Sequence, residues 1–396
     1  MTLLKKDIEV TVIIIIITII ISVGRVSSYG LINEGITITF YVLSLAVIVL
    51  FIGFIAIKKR LNKKLLVVAA LFLFLALVNT ISAILNGFSF SFVVRLYQIL
   101  SILSTFFLIT IMISNKYILK NIWIVASCLG FFIVLIFLGW LLQGGMGYSS
   151  VFNNPNSLGT YSFVTLPFFF IARKVASKKS HRRLWEILAV VTILMCFVSG
   201  SRATIISLVA FFFSFHFLSI KSINKHTYKI YFILCVLLPA ILLFYILSDN
   251  KNLIYYAESI SGFVSDKERL LSGRDILWLS LIDLISNRPL LGWGPGATPS
   301  DFADTGFSAH NLYIQVALQS GITGLVTLLA LLYKLWSLMY SGINKYIVKI
   351  SASFLIAVLF HQMFEVSLMQ NNLSFGLVIW VVIAIGVGVS ISDSRR

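Results

Sequence analysis

Six ionisable side chains stand where an otherwise apolar chain leaves little room for charge. Arg202 lies in Ser199-Gly200-Ser201-Arg202, a short connection between two apolar runs. Such an arginine either snorkels its head to the interface or binds an anion, because guanidinium matches phosphate oxygens in a bidentate fork. The neighbouring glycine and serines leave space for a ligand to approach. Arg274 and Arg288 flank a helical run from Asp275 to Ser286. Solvated loop charges are the plain reading, and further anion ligands the functional one. His310, in Ser308-Ala309-His310-Asn311, directly precedes an apolar run. Histidine titrates near neutrality and can take a proton from a hydroxyl, or it can simply cap a helix. His361 and Glu365 are one helical turn apart in the apolar run 347–367, so they share a helix face. An intramembrane ionisable pair is either functional or a packing device. Asn153-Asn154-Pro155-Asn156 carries turn chemistry. His181, His216 and His226 lie in or near basic segments on the other side and are set aside.

The elements that must position these groups follow from composition. Of 396 residues, 59% are hydrophobic and only 11% charged, against about a quarter charged in ordinary soluble domains. Leu65 to Leu85 and Ile122 to Leu142 are each long enough to cross about 30 Å of hydrocarbon as a helix. The runs do not alternate in polarity as barrel strands would. The expected fold class is therefore all-α, a polytopic membrane helix bundle of about 12 transmembrane helices forming one membrane domain over 1–396. The expected spans are 9–24, 35–57, 65–85, 92–114, 122–142, 159–172, 184–199, 203–220, 230–247, 312–333, 347–367 and 372–391. The first run lacks a small-residue cleavage site behind it and reads as a retained helix.

The net charge of +17 does not point to nucleic acid. Basic residues fall in short clusters between apolar runs rather than on one face. With alternate connections assigned to alternate sides, 23 of the 31 Lys and Arg lie on one side and 8 on the other. The positive-inside rule makes the first side cytoplasmic. Both termini are then cytoplasmic in a cell (inner) membrane, and Arg202, His310 and Glu365 belong to the external face. Cys128, Cys196 and Cys235 sit inside apolar runs without paired spacing and read as small buried hydrophobes.

Residues 248–311 form the one long connection, expected to be external. It holds eight acids (Asp249, Glu258, Asp266, Glu268, Asp275, Asp283, Asp301 and Asp304) out of 14 in the chain. Connections of this length are usually functional or disordered. Trp278, Trp293, the run beginning near Asp275 and the turn Gly292-Trp293-Gly294-Pro295-Gly296 predict a structured cap with an interfacial helix.

No P-loop, dinucleotide glycine pattern or metal-ligand cluster is present in the sequence, so ATP-driven transport and a metal site are not expected. An external transferase in a membrane would draw on a lipid-linked donor, whose phosphate an interfacial arginine can hold.

Four segments resemble the O-antigen polymerase/ligase superfamily. They are Ser199-Gly200-Ser201-Arg202-Ala203, then Gly273-Arg274-Asp275 with Trp278 and Pro289-Leu290-Leu291-Gly292-Trp293-Gly294. The others are Ala309-His310-Asn311-Leu312-Tyr313 with Gly321 and Gly324, and Asn154-Pro155-Asn156-Ser157-Leu158-Gly159. The similarity covers roughly residues 150–330, while the first 140 match only in hydropathy. The resemblance implies a C-type glycosyltransferase architecture and no cofactor. It implies as partners an undecaprenyl-pyrophosphate-linked oligosaccharide, membrane lipid and a separate chain-length regulator. On that pattern Arg202 binds pyrophosphate with Arg274 or Arg288 assisting, and His310 orients or deprotonates the acceptor hydroxyl. Glu365 is a candidate for aligning the acceptor, and Asn156, Asn311 and His361 for the substrate-binding surround. The expected activity is a polymerase joining lipid-linked repeat units of O-antigen, capsule or exopolysaccharide. A ligase moving the finished glycan to another acceptor is the alternative. A lipid-linked oligosaccharide transporter is the rival of another class. It would want polar residues along a path through many spans, whereas polarity here gathers at the outer end.

Overall fold

The computed structural model describes residues 63–114, 117–152, 154–220, 223–248, 274–302, 308–370 and 372–393. The expected spans 9–24 and 35–57 lie outside them, as does 249–273 of the long connection. Among the described residues there are eleven α-helices. They are α1 (Lys63–Asn86), α2 (Phe90–Ser114), α3 (Tyr117–Gln143), α4 (Pro155–Val175), α5 (Lys179–Val198) and α6 (Arg202–Phe217). Then come α7 (Lys225–Ser248), α8 (Arg274–Asn287), α9 (Leu312–Met339), α10 (Tyr346–His361) and α11 (Leu373–Asp393). Ten of these fall on the ten expected spans that the described residues cover, and α8 falls on the helical run of the long connection. Five helices, α1, α2, α3, α9 and α11, are long and apolar enough to cross a membrane. The chain is a multi-pass membrane protein. Its large apolar side chains on outward faces, among them Leu77, Phe131, Val209 and Leu238, are exposed, which only a lipid environment tolerates over so wide a surface.

α11 is the central element, buried along Leu373–Ile391. It packs on α2, on α10, on α9 and on the short turn Tyr340–Gly342 that follows α9. Small residues permit the approach. A Cβ on Gly388 would come 2.9 Å from the Thr110 carbonyl of α2, and one on Gly386 would collide with Ser351 of α10. Trp380 fills the remaining space against Phe72 and Phe106, and its indole donates to the Leu368 carbonyl at 3.0 Å. Around this axis α4 pairs with α5, α6 with α10 and α1 with α9.

The cap after α8 is locked to α9 where Gly292 and Gly321 let the two backbones touch. At Gly321, α9 breaks its helix with φ 64 and ψ −169, a conformation that favours glycine. The carbonyls freed at the break take the cap's amides. Trp293 N donates to Leu318 O at 2.8 Å and Gly294 N to Gln319 O at 3.2 Å, while Ile322 N donates to Pro289 O at 2.7 Å. The sequence predicts a tight turn at Gly292–Gly296, and the backbone there is wedged into the α9 break. Trp278 and Leu281 of α8 meet Ala309, Ile314 and Leu318 in a second apolar core beneath the cap.

One expectation is corrected. The span over 347–367 stops early: α10 ends at His361, with Gln362 as its cap. His361 and Glu365 therefore do not share a helix face. The Gln362 side chain supplies the reason, because its Oε1 accepts from Ser367 N at 3.0 Å and Leu368 N at 2.9 Å. Its main-chain carbonyl accepts from Leu312 N at 2.9 Å. These bonds satisfy the buried polar groups of the turn that replaces a further helical turn.

Candidate functional site

The N-terminal ends of α4, α6, α8 and α11 meet the C-terminal end of α10 at one pole of the bundle. A cavity of about 230 Å³ opens there, lined by Asn154, Asn156, Ser157, Thr160, His310, Glu365, Val366, Ser367, Asn372 and Phe375. Each wall has a local cause. Asn154 caps α4 by accepting from Ser157 N at 2.8 Å, and Pro155 sits at the first helical position, where a missing N–H costs nothing. That turn aims Asn156 at the cavity. Asn311 is buried and caps α9, accepting from Tyr313 N at 3.0 Å and Ile314 N at 3.1 Å. It thereby fixes the preceding His310, which adopts a positive φ of 48. Ala309 is pinned beside it by the Trp278 indole, which donates to its carbonyl at 2.7 Å.

Arg202 begins α6 behind Ser201, the helix cap, and its side chain is exposed. Gly159 lets α4 press against this connection: a Cβ there would come 2.5 Å from Thr204 Oγ1 and 2.8 Å from Ser199 Oγ. Arg274 begins α8, and its Nη1 donates to the Phe364 carbonyl at 3.0 Å. Beneath the cavity floor, Thr160 Oγ1 and His361 Nε2 are 3.2 Å apart. His361 is fully buried and stacks on Phe163 at 5.3 Å.

The electrostatics tie these groups together. Burial lowers the Arg274 pKa, Glu365 opposes that shift, and the charge of Arg202 adds to it. Burial, and then the Arg274 charge, bring His310 down to about 4, which keeps the imidazole neutral. Burial lifts Glu365 to about 7 although Arg274 pulls it back. Two cations, a neutral imidazole and a carboxyl poised at neutrality thus share one pole. The helix N-termini add partial positive charge to it. The arrangement can hold an anion beside a group able to accept a proton.

Arg288 is placed elsewhere. It follows the C-terminus of α8, so 14 residues at about 1.5 Å each separate it from Arg274. Its guanidinium lies 4.1 Å from the Trp293 ring centroid and donates to Asn86 Oδ1. Five wall residues lie outside every segment that the sequence singled out for chemistry: Thr160, Val366, Ser367, Asn372 and Phe375. Only the polar run Gln370-Asn371-Asn372 before an apolar helix signals any of them. Among the described residues, no three His, Cys, Asp or Glu side chains gather as a metal-binding group.

An apolar groove of about 440 Å³ lies between α6, α7 and the Phe360 ring of α10, and it starts about one turn into α6, at Ile205 and Ile206. Its walls on α6 include Ile206, Val209 and Phe213, which share one helical stripe with Arg202.

Residues 187–329 match the family model described as O-antigen ligase. Over this stretch, about a third of the chain, the protein is similar to the O-antigen polymerase/ligase superfamily. The family segment holds Arg202, Arg274, Arg288, His310 and Asn311, and ends before His361 and Glu365, while Asn156 precedes it. The cavity is thus completed by segments on both sides of the family segment. No curated protein matches the chain.

Proposed function

We propose that this protein is a polymerase of lipid-linked polysaccharide repeat units, acting at the outer face of the cell membrane. The observation that carries the reading is the meeting of Arg202 and Arg274 with His310 and Glu365 at one pole, above an apolar groove. A donor built from a glycan, a pyrophosphate and a polyprenyl chain has a matching order of parts. Hydrocarbon fits the groove, pyrophosphate the arginines, and sugar the Asn-lined cavity. The acceptor hydroxyl oxygen attacks the anomeric carbon and forms the new C–O bond. The bond to the pyrophosphate oxygen breaks, and that oxygen keeps the electron pair. Arg202 and Arg274 stabilise the charge that develops there. His310, held neutral, takes the hydroxyl proton, and Glu365 aligns the hydroxyl. Asn156 and Asn311 shape the sugar-facing wall, and the His361–Thr160 contact supports it from below. The donor is an undecaprenyl-pyrophosphate-linked oligosaccharide, with no metal or cofactor. We assign about twelve spans and a C-type glycosyltransferase-like architecture, with the Lys- and Arg-rich pole in the cytoplasm. A separate regulator sets chain length.

A second reading, ligation of the finished glycan to another acceptor, is favoured by the description of the matching family model. Purified protein given the lipid-linked repeat unit alone decides between them. A ladder of products on a gel supports polymerisation. Transfer only when a second acceptor is added assigns ligation. No transfer in either condition, beside an active control enzyme, overturns both.

A further inference from the structure

α4 reaches from the site to the opposite pole, about 30 Å away at 1.5 Å per residue. There Ala172, Val175 and Ala176 of its last turn line a second cavity, of about 500 Å³. Ile122, Trp123 and Ser127 of α3 form one wall, and His181, Leu184 and Trp185 of α5 the other. The volume suits a small amphiphile. Its walls are mostly apolar, with Ser127, Ser177 and His181 as the polar side chains among them. Lys178, Lys179, His181, Arg182 and Arg183 fall within six residues at the rim. Arg182 is held at that rim because its Nε donates to the carbonyl of Ala176, a lining residue, at 2.8 Å. The one acid of this stretch, Glu186, is committed to Arg173 at 2.5 Å. The first turn of α5 has no acid and no side-chain cap, which leaves its partial positive charge uncompensated.

The flanks decide the kind of ligand. Trp123 is 53% exposed, and Leu184 and Ile187 are exposed beside it, so the cavity is continuous with surface that faces hydrocarbon. An indole at that level is characteristic of the membrane interface. A water-soluble anion would leave those apolar walls unused, whereas an acyl chain covers them. Basic pockets between helices at the membrane surface hold anionic head groups.

We propose that this cavity binds an anionic glycerophospholipid, its phosphate among Lys178, Lys179 and Arg182 and an acyl chain between Trp123 and Trp185. The site lies at the far end of α4 from the proposed transfer centre and stands whatever that centre does.

The test uses the full chain in detergent, titrated with phosphatidylglycerol or phosphatidylcholine and read by native mass spectrometry. Lys178→Gln/Lys179→Gln/Arg182→Gln is compared with Lys225→Gln/Lys229→Gln, which removes the same kind of charge from the start of α7. Trp123→Ala tests the chain wall. Lys229 is half-buried and the other side chains are exposed, and a melting curve in lipid-free detergent checks that each variant is folded. The expected result is at least tenfold weaker phosphatidylglycerol binding in the triple variant and in Trp123→Ala, with the Lys225/Lys229 variant unchanged. Equal binding of phosphatidylcholine overturns the proposal, as does an equal loss in the Lys225/Lys229 variant. Displacement of the lipid by millimolar inorganic phosphate would reassign the site to a soluble anion and overturn the lipid assignment.

Discussion

Arg274 and Phe364, ninety residues apart in sequence, are joined by a hydrogen bond of 3.0 Å from the guanidinium to the main-chain carbonyl. The bond fixes α8 of the cap to the turn whose next residue is Glu365. It places a cation where it acts on Glu365 and on His310 together. Arg274→Ala should therefore lower kcat by about 10² to 10³, the usual cost of removing a preorganised charge stabiliser. Arg274→Lys keeps the charge but loses the fork, and should fall between. Steady-state kinetics with the lipid-linked donor check this. Equal rates for Ala and wild type would remove Arg274 from the site.

Arg202 is exposed and begins a helix without packing into the core. Arg202→Ala should leave the melting temperature unchanged. It should cut donor kcat/KM by about 10² or more if, as proposed, it stabilises the pyrophosphate charge. A drop in thermal stability alone would make it structural.

The pH dependence follows from Glu365. Its folded pKa of about 7 lies above the ordinary 4.5, so it is protonated at pH 6 and ionised at pH 8. If it aligns the hydroxyl as a carboxylate, kcat/KM rises with pH through about 7, and Glu365→Gln flattens that limb. His310, at about 4, stays neutral throughout and adds no limb in this range. The sign for stability is opposite. Between 4.5 and 7 the folded protein holds a proton that the unfolded chain has released, so this group's contribution declines as pH rises. Glu365→Gln should gain stability relative to wild type from pH 5 to pH 8, by roughly 1–3 kcal/mol. Melting curves at the two pH values measure it.

Gln362 holds the turn that carries Glu365. Gln362→Leu leaves Ser367 N and Leu368 N without their acceptor. Two buried donors stranded in this way should cost about 2–4 kcal/mol. The variant should also lose activity, because the turn moves. Thermal unfolding with circular dichroism reads the first effect, and transfer the second.

Gly321→Ala should be more severe. A Cβ there collides with the Leu290 backbone, and φ 64 is unfavourable for alanine. Neither backbone can give without parting the cap from α9. We expect loss of the folded protein in detergent by size-exclusion chromatography, with Thr323→Ala as a control that keeps the fold. By contrast, Arg288→Ala removes a cation–π contact worth about 0.5–1 kcal/mol. It should leave transfer unchanged, since Arg288 sits on Trp293 and Asn86 far from Arg274.

The sequence by itself determined the helical class, the approximate position of the described helices and the polar residues worth attention. Long apolar runs have no alternative to helix in lipid, and charge has few places to stand. The family segments around Arg202, Arg274 and His310 were equally legible, because they combine turn-forming glycines with cations at helix ends. Tertiary structure alone decided which of those residues meet. His361 and Glu365 were spaced for one helical face, but Gln362 captures the amides of Ser367 and Leu368 and ends the helix between them. Arg274 and Arg288 looked equivalent on either side of a helix, and the length of α8 separates them. Thr160 and Ser367 were indistinguishable from other hydroxyls until helix packing at Gly159 and the Gln362 turn brought them to the cavity. Periodicity is written in local sequence. The meeting of distant segments depends on where a glycine lets backbones touch and which amide each carbonyl captures, and neither has a local signature.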